Sequence, residues 1–318
     1  MVAVMLSVAR MRSHMGSNMG MNLRMDMGLR IGLVLFLLWC APVLAAAPAA
    51  APLHTFWSVK GAHNTVYLLG SVHVLKPADS ELPAEALRAY ERAGALVMEL
   101  DLNHLDASQL AGSGLELESL PAGETLEHVL GPRGYARFLA HAQPLGLDPE
   151  LFSHDQPWFV AVAIEQLELT RLGFDAGSGV DEQFAQRAQA DHKPIIALET
   201  LDEQLGLFSH LTLPQQSSFL LQTLDDTDDA ARQVDTVVEA WRRGDTVALE
   251  RLLGESYAEF PELYRLLTTD RNRRWLPTLQ GLLRESQDYL VVVGALHLVG
   301  KDGIVDLLRQ GGYEVVQH

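Results

Sequence analysis

Two nine-residue stretches, TVYLLGSVH at Thr65–His73 and YLVVVGALH at Tyr289–His297, decide how this chain is read. Each is a run rich in β-branched and aromatic side chains that ends in Gly-x-x-His. Each therefore reads as a strand stopped by a glycine turn, with a histidine three residues beyond the glycine. After the first stretch, Pro83 opens a helix with Ala86, Leu87, Tyr90 and Ala93 at helical spacing, and the apolar run Ala95 to Leu100 follows. After the second, Gly303 to Gln310 reads as a helix, Gly311-Gly312 as its stop and Tyr313 to Gln317 as a last strand. Strand, helix, strand, twice over, predicts an α/β fold with a central mixed β-sheet built from two βαβ-like units.

Working outward, His54 to Val59 and Thr65 to Leu69 flank Lys60-Gly61-Ala62-His63-Asn64, the pattern of a β-hairpin. Asp181 to Ala190 reads as a helix and Pro194 to Glu199 as a buried strand, so Glu99 and Glu199 both stand at strand ends. The stretches Ser119 to Leu172 and Asp202 to Ser286 carry apolar residues at three and four spacing, for instance Leu263, Leu266 and Leu267 ahead of Trp275, Leu279 and Leu282. They read as large helical insertions packed over the strands. The acidic cluster Asp225 to Asp229 reads as a solvated helix end or loop.

The N-terminus has the layout of a secretory signal peptide: Arg24 and Arg30, then the apolar run Ile31 to Leu38, then small residues from Ala45. That apolar core is shorter than the ~20 residues of a membrane span, so stable membrane insertion is not expected. Cleavage after Ala45 divides the chain into a signal peptide at 1–45, an Ala/Pro linker at 46–53 and a domain at 54–318, exported to the periplasm or the extracellular space. Cys40, the only cysteine, falls in the targeting segment, which leaves the processed chain without a disulfide. Removing residues 1–45 takes away four arginines and one aspartate, and the formal charge moves from -17 to -20. So acidic a surface argues against nucleic acid as a partner.

A glycine after a strand allows a sharp turn at positive φ, and the residue three further on can point back across the carboxyl edge of the sheet, where ligands of α/β sheets bind. Neighbouring strands lie ~4.8 Å apart, so His73 and His297 can converge on one ion if the two units pair. The first unit brings Glu99 to the same edge. Two imidazoles and a carboxylate form a three-ligand set that leaves positions open for water, as a catalytic metal requires. Glu99 is then either a ligand or the general base beside a metal-bound water. Glu199 either faces the same cavity or caps the helix that follows. His54, His63, His141, His154, His192 and His210 lack such context and read as turn, surface or core residues.

No His-Glu-x-x-His, Gly-x-Ser-x-Gly, P-loop or cysteine pair competes with this reading. A non-catalytic protein that uses the paired histidines to hold a metal, haem or peptide would carry the same motifs, as would an esterase on the same scaffold.

Leu68-Leu69-Gly70-Ser71-Val72-His73, Met98-Glu99-Leu100-Asp101 and Val293-Gly294-Ala295-Leu296-His297 together resemble the pattern of the TraB/GumN/Tiki family, two Gly-x-x-His motifs with an intervening glutamate. Pro157-Trp158, Gly179-Val180-Asp181 with Phe184, Leu198-Glu199-Thr200 with Gln204, and Arg271-Asn272 extend the likeness from about Phe56 to Val316. The resemblance implies a protease activity that depends on a divalent metal, manganese or cobalt, and a peptide or protein substrate; zinc is the further candidate for the same donor set. It also implies that His73 and His297 are the paired motif histidines, Glu99 the intervening glutamate and Arg271 a further residue of the pattern near the site. With His73, His297 and Glu99 as the candidate metal ligands, Arg271 is expected at the rim, where it would hold a substrate carboxylate or the developing oxyanion.

Overall fold

This computed structural model describes residues 54–101, 103, 117–226 and 230–318; the signal peptide and linker expected at 1–53 lie outside the described residues, as does part of the cluster Asp225 to Asp229. The hairpin forms as read, with Phe56–Lys60 (β1) antiparallel to Thr65–Ser71 (β2). Helix Ala84–Arg92 (α1) then leads to Ala95–Met98 (β3). Three helices, Leu126–Ala142 (α2), Pro157–Arg171 (α3) and Val180–Ala190 (α4), precede Ile195–Ala197 (β4). Next come Leu201–Ser209 (α5), Leu213–Asp226 (α6), Ala230–Arg242 (α7) and Thr246–Glu255 (α8). A π-helical turn, Arg265–Thr269, runs directly into Asp270–Leu282 (α9). Tyr289–Gly294 (β5), Ile304–Gln310 (α10) and Val315–Gln317 (β6) close the chain.

The six described strands form one mixed sheet in the order β4-β3-β5-β2-β1-β6. β5 is buried at every position, and a continuous apolar strand of that kind needs a partner on each edge and cover on both faces. It finds them by entering between β2 and β3, parallel to both, with Ser71 opposite Gly294 on one side and Met98 opposite Val292 on the other. The two strand-helix-strand units therefore interleave in a single sheet. β4 corrects one expectation, because it is the edge strand and its residues are half-buried or exposed rather than buried. Its apolar run is short and pairs only with β3.

The insertions also do more than cover strands. Residues of α1, α4, α7, α9 and α10, such as Tyr90, Phe184, Trp241, Trp275 and Ile304, share one core with the sheet. α2, α3, α5 and α6 instead build a second core around Phe138, Trp158, Phe208 and Leu220, and there Trp158 stacks on Phe208 with ring centres 4.6 Å apart. Helices longer than the sheet can bury against it cover one another.

Close approach at the carboxyl edge explains the first motif glycine. A side-chain carbon at Gly70 would stand 3.1 Å from the Ala295 Cα, in the turn that follows β5. The Gly70 carbonyl also accepts a hydrogen bond from the Trp241 indole at 2.7 Å, and the Thr55 hydroxyl donates to the Trp241 carbonyl at 2.8 Å. Gly70→Ala is expected to destabilise the protein by ~1–3 kcal/mol, the usual effect of overpacking. Gly206→Ala, at a helical position where the added carbon meets nothing, should be neutral or stabilising by up to ~1 kcal/mol. Urea denaturation of the two variants beside the parent chain checks the contrast, and equal effects would refute the close-approach account.

Candidate active site

Four parallel strands end on one edge of the sheet, and each delivers one residue of the sequence reading to it. Glu99 follows β3 directly, and Glu199 follows β4, with the Glu199 amide donating to the Glu99 carbonyl at 3.1 Å. His73 follows β2, and His297 closes the single 3-10 turn Ala295–His297 after β5. The expected positive φ is absent from both motif glycines: Gly294 has φ -50 and ψ 138, and Gly70 does not appear among the positive-φ glycines. At Gly70 an added side-chain carbon would crowd the Ala295 backbone, whereas at Gly294 it would make ordinary contacts with Glu99, His73 and His297.

Arg271, at the start of α9, stands at the centre of the cluster with only 4% of its surface exposed. Its Nε donates to Glu199 at 3.1 Å, and its Nη2 donates to Glu199 at 2.6 Å and to Glu99 at 2.5 Å. Nη1 donates to the Leu267 carbonyl at 3.0 Å and to His297 Nε2 at 2.9 Å. A guanidinium has five N–H donors, and these bonds use them all. Arg271 is thus an internal clamp and not the rim residue, free to receive substrate, that the sequence suggested. Gln204 joins the two carboxylates, donating to Glu199 at 2.9 Å and to Glu99 at 3.3 Å.

The charges follow from this packing. Burial opposes ionisation of Glu99, but the Arg271 guanidinium, with His73 and the Gly294 amide 2.8 Å away, holds its carboxyl well below the usual range. Burial and the same guanidinium push His297 down to about 3, so at neutral pH it is an uncharged imidazole. Burial also pulls on His73, yet the Asp181 carboxylate, 3.0 Å from Nδ1, outweighs it and raises the pKa above the ordinary value. Asp181 is lowered in return: burial works against its charge, and His73 prevails.

His73 Nε2 has no hydrogen-bond partner among the described residues. It lies 3.5 Å from where a side-chain carbon on Gly294 would stand, while Glu99 Oε1 lies 3.4 Å and His297 Cδ2 3.6 Å from the same point. The bare glycine thus leaves a gap that an imidazole nitrogen and a carboxylate oxygen both flank. His73 and Glu99 also line a small cavity of about 10 Å³, with Ser71 and Asp181 among its other walls. Ser71 Oγ stands near enough to lower the Asp181 pKa, but neither it nor Asp181 Oδ1 completes a hydrogen bond. In donor chemistry His73 and Glu99 fit a divalent metal, and a carboxylate behind the imidazole is the usual support of a metal-binding histidine. The full three-ligand set is not in place, since among the described residues no group of three histidine, cysteine or acidic side chains is arranged to hold an ion.

His73, Glu99, His297, Arg271 and Glu199 therefore share one site. Glu199 is not among the residues that line the cavity and pairs instead with Arg271; the capping of the following helix falls to Thr200 and Glu203. None of the other histidines singled out in the sequence joins the cluster. Asp181, Asn272 and Gln204 do join it. Each lay in a stretch that resembles the family, but nothing in their spacing announced that they would orient a histidine or bridge two carboxylates.

The sequence profile of the TraB/PrgY/gumN family matches residues 55–317. The uncharacterized protein YbaP of Escherichia coli is 29% identical over 76% of this chain and 87% of its own length. Metalloprotease TIKI2 of Xenopus tropicalis is 24% identical over 81% of this chain, and metalloprotease TIKI1 of Homo sapiens is 23% identical over 84%. The matches span 58% and 63% of those two proteins. No solved structure matches the chain.

The depressed pKa of His297 ties stability to pH. Between about 3 and the unfolded value near 6.5 the unfolded chain binds a proton at this residue that the folded chain refuses, so this contribution is complete above ~6.5 and is lost as pH falls. Relative to His297→Gln, which cannot titrate there, the parent chain should lose ~2 kcal/mol of unfolding free energy between pH 7.5 and pH 5. Paired urea melts across that range measure the difference, and a flat difference would mean that His297 is not held neutral.

Proposed function

The chain belongs to the TraB/PrgY/gumN family, and on that premise we propose that it is a metal-dependent hydrolase acting on peptides, centred on His73 and Glu99. The observation that carries the reading is the convergence of His73 Nε2 and Glu99 Oε1 on the gap beside Gly294. The names of the TIKI metalloproteases support the reaction class. His73 Nε2 and Glu99 Oε1 would hold the ion, be it manganese, cobalt or zinc. Once bound, it would supply a Lewis acid that polarises a carbonyl and brings the pKa of a water toward neutrality.

The protein's own groups divide the remaining work. Asp181 accepts from Nδ1 of His73, which fixes the ring and turns Nε2 toward the gap. Arg271 keeps Glu99 ionised, which suits a carboxylate that holds a cation. The same depressed pKa makes Glu99 a poor general base, because an effective base titrates near the working pH. Of the two roles left open by the sequence, this supports the ligand. Arg271 stabilises charge through Glu99 and Glu199 rather than by touching substrate. A peptide or protein substrate, with no role for nucleic acid, agrees with a formal charge of -17. The signal-peptide pattern of the N-terminal segment supports export to the periplasm or beyond.

Cleavage of a peptide library by the purified protein, with manganese and with a chelator, tests the proposal. The parent chain should cleave only with metal, and His73→Ala should lose at least ~100-fold of that activity, since a catalytic ion contributes several kcal/mol. Full activity of His73→Ala in chelator would refute the hydrolase mechanism. Retention of manganese by the parent chain without any cleavage would favour a metal-binding protein instead.

A further inference from the structure

The two histidines of the Gly-x-x-His turns are alike in sequence and unlike in surroundings. His73 Nδ1 meets the Asp181 carboxylate, and its Nε2 faces the gap beside Gly294 without a hydrogen-bond partner among the described residues. Both nitrogens of His297 are occupied, and the order of its hydrogen bonds can be read outward from a backbone group. Asn272, which is 1% exposed, donates from Nδ2 to the Asp302 carbonyl at 2.8 Å. That bond fixes which end of the amide is the oxygen, so Oδ1 is the atom 2.7 Å from His297 Nδ1. An amide oxygen only accepts, so the proton sits on Nδ1 and the lone pair on Nε2. That lone pair accepts from Arg271 Nη1 at 2.9 Å.

We infer that His297 is a positioning residue for Arg271 and not a metal ligand, with Asn272 setting its tautomer. The metal half of this assignment rests on the function proposed above; the tautomer half stands without it. Nε2 cannot serve an ion while it accepts from the guanidinium, and the guanidinium has nowhere else to turn. Rotating it away would strip hydrogen bonds from Glu99 and Glu199, both buried, and leave Glu199, for a cation, only the exposed Arg274 at 3.8 Å among the described residues, and Glu99 only its neutral donors and the neighbouring imidazoles. The Trp275 ring closes the other side, 4.6 Å from both the Arg271 guanidinium carbon and the His297 ring centre. His297 thus accepts the last donor of Arg271 and fixes the plane of the fork that holds the two carboxylates.

Two measurements on the full chain test the assignment. The first titrates Co²⁺ and follows its visible absorption. The parent chain and His297→Gln, whose side-chain oxygen can still accept from Arg271, should give the same spectral shape, with affinity weakened by no more than the ~10–100-fold typical of a supporting residue. His73→Ala should give no bound-cobalt spectrum. A His297→Gln spectrum as empty as that of His73→Ala would overturn the assignment. The second records ¹⁵N NMR of the histidine rings of the parent chain with and without Zn²⁺, and needs no variant to fold. His297 should show a protonated Nδ1 and a bare Nε2, unchanged by zinc, while His73 Nε2 shifts. A proton on His297 Nε2, or a zinc-induced shift there, would refute the inference. If neither ion binds the parent chain, the proposed function fails, and the tautomer alone decides the role of His297.

Discussion

A buried arginine between two buried glutamates is the constraint around which the carboxyl edge of this sheet is organised. Arg271 comes from α9, Glu99 and Glu199 follow β3 and β4, and removing Arg271 would take the central cation from two buried carboxylates at once. Breaking such a pair ordinarily costs ~3–5 kcal/mol, a large share of the stability of a typical domain. The geometry that satisfies all five donors of Arg271 is therefore strongly specified. It pulls the ends of β3 and β4 together and draws the turn after β5 inward through His297. The π-helical turn just ahead of α9 is where the chain adjusts its register to present Arg271 to this centre.

That clamp separates two histidines which the motif makes look interchangeable. On the side of Arg271, positive charge keeps His297 neutral and occupied. On the far side, Asp181 raises the basicity of His73 and leaves Nε2 facing an open gap. Glu99 belongs to both halves: one oxygen receives Arg271, and the other lies against the gap beside Gly294. A carboxylate held ionised from behind, whose second oxygen accepts from the Gly294 amide and keeps a further lone pair, is suited to holding a cation, and the same arrangement makes it a poor base near neutral pH.

Much of this was legible in the sequence because the strands are strong signals. The runs at Thr65–Leu69 and Tyr289–Val293 are apolar, short and stopped by glycine, and their histidines were bound to leave the same edge once the strands paired. The strand at Ile195 was harder to read, since apolarity alone does not distinguish an edge strand from a central one. The second helical core could not be read either, because a periodic apolar face shows that a helix packs and not what it packs against. Within the site, the residues read from the sequence do gather at one edge of the sheet, but the partner of each was invisible. An arginine near two carboxylates can serve substrate or structure, and only the count of its donors decides which. Asp181 and Asn272 act through single hydrogen bonds across 108 and 25 residues of chain, a distance over which spacing carries no information.

Anomalous diffraction from crystals of the protein soaked with manganese tests the central claim most directly. The account predicts a single strong peak within ~2.2 Å of His73 Nε2 and Glu99 Oε1, with Arg271 still bonded to His297. A peak bonded to His297 Nε2 with Arg271 displaced, or no peak at this edge of the sheet, would contradict it.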